Sequence, residues 1–464
     1  MSDKHQSTAQ LWLNLHKNPS RHMPKLLSRE KTAQSPLMFN HAIKRLTRKD
    51  VSAAIKIWDV NKQQFNVEES PANRLARDKI ERRLAFKLAY KKDSAAYERL
   101  SQLDVTDNSS RTRRIRVALL EQNWQNVIAA IQDLSEDEKE EERWLYWLAR
   151  AYLETGKIEQ AESLLTDLSN NRSFYGYLAA DKVNSIYQLS DNPVDVSEAD
   201  ISALKNRNEF CVAFELMVLD RKNEAKLQWW HAVRPLNKKE ILVAAKLAQQ
   251  WQWDEIAIFT IAKAKYWDDI EVRFPLSYTD KIHENSVQHN LNPVIIYGLI
   301  RRESAFNEKA TSPTGARGLM QIMPRTGRDI ARNLKERWRG KNSLYNPVTN
   351  LKYGSYYYQK LLTQFDGHYA LALAAYNAGP HRVKKWLPDE SIPADIWLET
   401  IPYRETRNYV TSVLVYAMIY QQRIQSNELT MNDLTREVQP LEMNAKTLTM
   451  NDMIPEVQPL VMTP

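Results

Sequence analysis

The chain has a single cysteine, Cys211, among its 464 residues. One thiol cannot form an intramolecular disulfide, which excludes a disulfide framework and any multi-cysteine metal site, and its expected place is a buried apolar position. Glycine is scarce as well, with ten residues against nineteen prolines. No glycine-rich phosphate loop, His-Glu-x-x-His or Cys-x-x-Cys pattern occurs, and the nine histidines are scattered, so neither a metal nor a cofactor is expected. No uncharged apolar run is long enough to cross a bilayer. The opening residues Met1-Ser2-Asp3-Lys4-His5-Gln6 lack both the apolar core of a signal peptide and a cysteine for lipid attachment. Taken literally, such a chain would not be exported.

What is present points to helices. At 43% hydrophobic and 26% charged, the chain is long enough for two or three domains with real cores. Long stretches of Ala, Leu, Lys, Gln and Glu cost little in a helix, so few strands are expected. The thirteen tryptophans and twenty-one tyrosines belong mostly to the core. A formal net charge of +8 favours an anionic partner: a nucleic acid, an anionic membrane surface or a carboxylate-bearing polymer. The basic residues are spread along the chain without an aromatic-basic nucleic-acid module, which makes solvated surface the default and speaks against nucleic acid.

Residues up to about Asp181 show apolar positions three and four apart, as in Ile55, Trp58, Val60 and in Leu145, Leu148, Ala149, Tyr152, the pattern of amphipathic helices stacked in series. Trp144 to Tyr152 followed by Gly156 and Ala161 is like a tetratricopeptide unit, but no strict period is present, so the region reads as an irregular superhelix. Ser190 to Glu198, with Asp191, Pro193 and Asp195, reads as a linker with a boundary near 195. A second helical block from Asp200 to Asp269 carries Trp229, Trp230, Trp251, Trp253 and Trp267, whose helical spacing favours packing over a ligand-stacking strip. At the end, Leu429-Thr430-Met431-Asn432-Asp433 with Glu437-Val438-Gln439-Pro440-Leu441 recurs as Leu448 to Asp452 with Glu456 to Leu460. Two copies cannot make a solenoid, and they read as a recent duplication in a flexible extension.

Asn292 before Pro293 is a helix start, a side-chain cap followed by a proline whose missing N–H would have been unpaired anyway. On the helix that follows, Ile296, Leu299, Ile300 and Glu303 share one face, so a carboxyl group rides on the stripe that enters the core. Burial without a cation disfavours the anion and holds such a group protonated near neutral pH, able to act as an acid. A glutamate at a fraying helix end, paired with Arg301 or Arg302, is the alternative.

Further motifs follow in fixed order: Glu303-Ser304, Gly318-Leu319-Met320-Gln321, Ala375-Tyr376-Asn377-Ala378-Gly379, and Glu399 to Val410 containing Pro402-Tyr403-Arg404-Glu405-Thr406-Arg407-Asn408-Tyr409. From about Tyr278 to Tyr420 the chain resembles the goose-lysozyme-like catalytic domain of the soluble lytic murein transglycosylases. The upstream helices resemble the superhelical part of that family more loosely, and Phe174 to Ala180 resembles the segment that closes it.

The resemblance implies an all-α fold: an N-terminal superhelical domain at 1–190, shortened to an open arc; a linker domain at 196–270; a lysozyme-like catalytic domain at 271–425; and a flexible tail at 426–464. It implies that Glu303 is catalytic, protonating the bond between N-acetylmuramic acid and N-acetylglucosamine and then taking the proton from the muramyl C6 hydroxyl, which closes on C1 to give a 1,6-anhydro sugar. Glycosidases usually use two carboxyl groups, and these motifs supply one. By the same resemblance Ser304, Gln321, Met323, Tyr376, Asn377 and Glu405 bind or support substrate, and Arg407 completes the cleft. Tyr403 stands where many relatives have phenylalanine. The expected partners are peptidoglycan glycan strands and cell-wall synthesis or remodelling proteins, with the chain a monomer. The expected setting is cell-wall turnover in the periplasm of a Gram-negative bacterium, which given the N-terminus implies a truncated or misassigned start or a mature fragment. Competing readings are a lysozyme-type murein hydrolase and a non-catalytic glycan-binding scaffold.

Overall fold

A computed structural model describes residues 3–65, 71–103, 106–426 and 429–440. Within them the chain forms 27 α-helices and one 3-10 helix, with isolated bridges in place of strands. The fold is all-α, as the composition requires. It divides into two compact units, Met1–Leu164 and Leu165–Pro464.

In the first unit helices pack on their chain neighbours: Ser35–Lys49 on Val51–Phe65, Pro71–Tyr90 on Ala95–Ser101, and Asn108–Leu120 on Trp124–Gln132. Phe39 stacks on Trp58 at 5.7 Å and on Phe65 at 4.4 Å, all three buried, whereas Val60, two residues after Trp58 and so off its helical face, is exposed. Carboxylates join successive helices. Glu81 accepts from Trp58 Nε1 at 2.7 Å, Lys62 Nζ at 2.9 Å and Arg99 Nη1 at 2.6 Å. Glu138 accepts from Arg111 at 2.8 and 2.9 Å, and this guanidinium holds its carboxyl down to about 2.

The second unit begins earlier than the expected boundary near 195, for a visible reason. Helix Phe174–Val183 packs on helix Arg404–Arg423, and Tyr175 Oη donates to the buried Glu399 at 2.8 Å. The expected linker is irregular but stitched down: Ile270 N donates to Asp191 Oδ1 at 3.1 Å and Val194 N to Asp269 Oδ2 at 2.8 Å. Asp269, fully buried, also pairs with Lys246 at 3.0 Å.

Between 198 and 273, helix Asn208–Val218 packs on Lys222–Val233 and Lys238–Gln250 on Asp254–Lys263. Trp229 is their shared centre, edge-on to Phe210 at 5.1 Å, Trp251 at 5.5 Å and Trp253 at 5.9 Å, with Nε1 donating to Thr260 at 3.0 Å. Packing is therefore the role of these rings, while Trp267 is exposed. Cys211 is half-buried rather than buried, its thiol donating to Lys205 O at 3.3 Å.

The rest of the unit is built around helix Pro293–Glu303, which lies along Arg404–Arg423. Their approach is close at Gly298, where a Cβ would sit 3.0 Å from Val413 O. Helix Pro347–Gln364 supports the loop carrying Gly318 to Gln321 through Asn350, which is fully buried: its Oδ1 accepts from Met320 N at 2.7 Å and its Nδ2 donates to Arg317 O and Leu344 O at 2.8 Å each.

The tail differs from expectation. Its first copy is folded: helix Met431–Leu434 packs on Phe174–Val183 and Arg404–Arg423, and Val438 pairs with Ile392. Three apolar side chains, Met431, Leu434 and Val438, reach the core and explain the order. The second copy, Leu448 to Leu460, lies outside the described residues.

Gly318 has φ +75°, and a Cβ there would meet Leu344 O at 2.2 Å. Gly318→Ala is expected to lower the stability of this unit by about 2 kcal/mol or more, read from the urea midpoint. An unchanged midpoint would mean that the loop shifts freely.

Candidate active site

Helix Pro293–Glu303 starts where the sequence places it, with Asn292 Oδ1 accepting from Val294 N at 3.1 Å. Ile296, Leu299 and Ile300 are fully buried on the face that also carries Glu303. The chain then turns sharply. Ala305 and Phe306 both take left-handed conformations, φ 49° and 68°, unusual for residues with a Cβ and costing roughly 1 kcal/mol or more each. Both are buried, so packing holds the strain in place.

The Glu303 carboxyl is buried, its residue 8% exposed, and among the described residues one hydrogen bond reaches it: Tyr409 Oη donates to Oε1 at 2.5 Å. The expected alternative pairing with arginine is not what forms. Arg301 turns away, Nε donating to Arg273 O at 2.7 Å, and Arg302 lies over the Tyr409 ring at 5.7 Å. Burial pushes the Glu303 carboxyl up to about 7, against the lowering effects of the Tyr409 hydrogen bond and Arg302; Glu405 adds to the rise.

Glu303, Ser304 and Gln321 line one cleft of about 760 Å³. Its other walls come from Asn307, Lys309 to Thr311, Pro313 and Tyr345, and from the preceding helical block through Asp220 to Glu224, Lys226, Glu255 and Phe259. Ser304 Oγ donates back to Ile300 O at 3.3 Å. Gln321, φ 47° and 3% exposed, donates Nε2 to Gly318 O at 2.8 Å and Ala310 O at 3.2 Å, leaving a buried Oε1 without a hydrogen-bond partner among the described residues. The cationic side of the cleft is mostly neutralised: Lys222 pairs with Glu308 at 2.8 Å and Lys226 with Glu255 at 2.5 Å.

Five expected site residues do not line this cleft. Tyr376 is fully enclosed, its hydroxyl donating to Met320 O at 2.8 Å and its ring 5.4 Å from Tyr357. It props the loop, and burial raises its phenol, with the Glu303 charge adding to the rise. Asn377 is buried, its Oδ1 accepting from Thr406 Oγ1 at 2.8 Å. Met323 is half-buried at the start of helix Pro324–Asn333. Glu405 is half-buried, its carboxyl raised by burial and lowered by Arg302. Arg407 donates to Ile401 O.

Sequence reasoning gave no role to Tyr409, Asn350 or the Asp220 to Glu224 turn. A signal existed for the first: Thr406, Tyr409, Val410 and Val413 share the buried stripe of Arg404–Arg423, so a phenol rides on a core face as Glu303 does. Asn350, four residues after the Asn346 cap, had a weaker signal of the same kind. The turn had none, because its place beside the cleft depends on the packing of distant helices.

Comparison with known proteins followed the same segments. The family model described as Transglycosylase SLT domain matches residues 280–395, and that described as Soluble lytic murein transglycosylase L domain matches 203–270. A Soluble lytic transglycosylase helical domain model matches 400–428, and a Tetratricopeptide repeat model 118–174. The soluble lytic murein transglycosylase of Salmonella typhimurium is 34% identical over 325 residues, 69% of this chain and 50% of the relative. This chain thus spans about half the length of such relatives. An inactive mutant of the lytic transglycosylase Slt from Pseudomonas aeruginosa superposes with TM-score 0.80 at 31% identity, covering 90% of this chain and 68% of that one. The 70 kDa soluble lytic transglycosylase from Escherichia coli gives 0.77 at 27%, covering 94% and 70%.

The raised carboxyl has a stability consequence with a definite sign. Between the unfolded value of 4.5 and the folded value of about 7, the unfolded chain has released the Glu303 proton while the folded chain keeps it. Stability is therefore lost as pH rises through that window and is level above it, by ~3 kcal/mol in all. Glu303→Gln, which cannot ionise, is expected to gain stability over the natural chain at pH 8 and to show little difference at pH 4, measured by denaturant titration at both.

Proposed function

The chain belongs to the soluble lytic murein transglycosylase family, and on that premise we propose that it cleaves the β-1,4 bond between N-acetylmuramic acid and N-acetylglucosamine in peptidoglycan, leaving 1,6-anhydromuropeptides. The observation that carries this reading is the buried Glu303, its carboxyl at about 7, on the wall of a cleft of about 760 Å³. A general acid works best when its pKa lies near the operating pH, and burial supplies that condition here. A volume of that size falls in the range of small-molecule sites.

Glu303 gives its proton to the glycosidic oxygen as the bond to the muramyl C1 breaks. The leaving chain departs with that proton, and positive charge develops on the muramyl ring. The carboxylate then accepts the C6 hydroxyl proton while O6 bonds to C1, which restores the acid without consuming water. Tyr409 serves both halves: its phenol donates to the carboxylate and stabilises the anion between the two proton transfers, yet not enough to ionise the resting group. The unpaired Gln321 Oε1 suits an N–H or O–H of the sugar, such as an acetamido group, because an unmet buried acceptor regains its hydrogen bond on binding. Ser304 shares that wall. Tyr376 and Asn377 act through what they hold, Met320 and Thr406, and Met323 and Glu405 extend the substrate-binding region beyond the cleft.

The relatives support this assignment. In the Pseudomonas aeruginosa enzyme the inactive mutant is a glutamate-to-glutamine change, and Glu303 is the residue we assign to that role. We assign 1–190 to the superhelical domain, 196–270 to the linker domain and 271–425 to the catalytic domain, on the support of the family matches. Glycan strands are the substrate, cell-wall remodelling proteins the partners, and the periplasm of a Gram-negative bacterium the setting. Among the described residues no helix is long and apolar enough to cross a membrane.

Mass spectrometry of murein digested by the natural chain should give anhydro ends. Reducing ends would make it a lysozyme-type hydrolase, and absence of cleavage a glycan-binding scaffold. Glu303→Gln should lower turnover by about 10²- to 10⁴-fold. In Tyr409→Phe the anion loses its donor, so the alkaline limb of the kcat/KM profile should move up by roughly half to one pH unit; a limb that stays put would remove Tyr409 from the mechanism.

A further inference from the structure

The arginines of the first unit fall into two sets. One set joins helices through carboxylates: Arg82 pairs with Asp107, Arg99 with Glu81 at 2.6 Å, Arg111 with Glu138 at 2.8 Å and Arg114 with Asp133. Arg83 and Arg113 belong to the other. Each is half-buried, with an enclosed Nε that has no hydrogen-bond partner, and neither enters an ion pair among the described residues. Arg113 lies over the Phe86 ring at 5.2 Å, and Phe86 follows Arg83 by three residues, on the same face of its helix. The two guanidinium groups thus stand beside one ring. Burial pulls both below their usual range, and like charges pull further: Arg48 on Arg83, and Arg116 on Arg113.

Their placement follows the helix pairs. Arg48, Arg83 and Arg113 each sit on the first helix of a pair: Ser35–Lys49, Pro71–Tyr90 and Asn108–Leu120. The first of these helices packs on the second and the second on the third, so the arginines cross adjacent helices in one row. Packed helices stand about 8–10 Å apart, which makes the row roughly 20 Å long, the reach of about six extended residues.

We infer that this row is a binding site for an extended acidic segment of a partner protein, its Asp and Glu carboxylates taking the forks of Arg83 and Arg113 and its backbone crossing Phe86. A half-buried cation without a counter-charge is costly, and an incoming carboxylate recovers that cost through paired N–H···O bonds to each fork. Clusters of arginine recognise acidic motifs in this way. A continuous acidic chain offers a carboxylate to each arginine at once, whereas carboxylates spaced along a bulky glycan serve them one at a time. Arg48, exposed at the end of its helix, adds attraction that salt screens. The inference does not rest on the assigned activity, because every residue in the row belongs to the first unit.

The probe is a fluorescent peptide of eight glutamates, titrated against the full chain at low salt by anisotropy. Binding should saturate, and Arg83→Gln with Arg113→Gln should weaken it by about tenfold or more. Lys44→Gln with Lys87→Gln removes the same charge from exposed positions on two of the same helices and should change affinity by less than about threefold. Arg83→Lys with Arg113→Lys keeps the charge but loses the forks, and should fall between the two; it also serves if the glutamine pair folds poorly. Equal losses in the arginine and lysine pairs would reduce the binding to net charge and overturn the site, as would an absence of saturable binding. Soluble peptide-bearing murein fragments are then added as competitors. No displacement supports a protein partner, whereas displacement at lower concentration than unlabelled peptide would give the row to the glycan substrate and overturn the assignment.

Discussion

A carboxyl group buried at the edge of a cleft, with little access to water, is the constraint on which this site rests. Eleven residues of helix turn an apolar stripe into the core and carry Glu303 in at its end. In that position the ionised form loses its hydration, and a single phenol is the direct compensation. A guanidinium in contact would have produced the opposite outcome, an ordinary carboxylate well below neutrality. Glu138 in the first unit shows that outcome in the same chain: bonded by Arg111 and a capping box, its carboxyl falls to about 2. The difference between these two glutamates is thus which partner the fold brings to each.

Holding an uncompensated acid in place requires stiffness elsewhere. The strained turn at Ala305 and Phe306 points the chain away immediately after Ser304, and the loop from Ala310 to Met323 returns to cover the other side. That loop has no helix or named strand of its own, only turns and isolated bridges such as the paired backbone bonds between Arg317 and Ile322 at 3.1 Å. Its shape is fixed from outside by Asn350 and Tyr376, two buried polar side chains on the backbone of Met320, one accepting from its N–H and the other donating to its carbonyl oxygen. Loss of either would leave a buried donor or acceptor unmatched, which is costly and local.

How much of this could be read in the sequence depended on whether a feature is local. The helical class, the start at Asn292-Pro293, the burial of Ile296, Leu299 and Ile300, and the raised carboxyl all follow from spacing along a few turns. The partner of Glu303 did not, because Tyr409 is 106 residues away and only the pairing of two buried stripes brings it near. Tyr376 shows the limit from the other side: its place in a motif marked it for the site, but whether a tyrosine faces a cleft or its floor is decided by Tyr357 and Met320, not by neighbours in sequence. The folded first copy of the tail was obscured by its polar, proline-bearing composition, since only Met431, Leu434 and Val438 are buried.

Glu405 brings these strands together. A second carboxyl group near the first invites the usual two-carboxylate reading of glycosidases, with Glu405 as nucleophile or base. Its electrostatic effect on Glu303 argues for another part. A negative charge on Glu405 makes ionisation of Glu303 harder, so it acts with burial to keep the proton on the acid. Arg302 lies between these demands, lowering both carboxyls while its planar group rests over Tyr409. A nucleophile would need an open line to the anomeric carbon, whereas Glu405 does not line the cleft that Glu303, Ser304 and Gln321 share. In the proposed reaction, then, Glu405 sets when the proton leaves and Tyr409 steadies the anion once it has left, and a single carboxyl group suffices because its two neighbours divide that work.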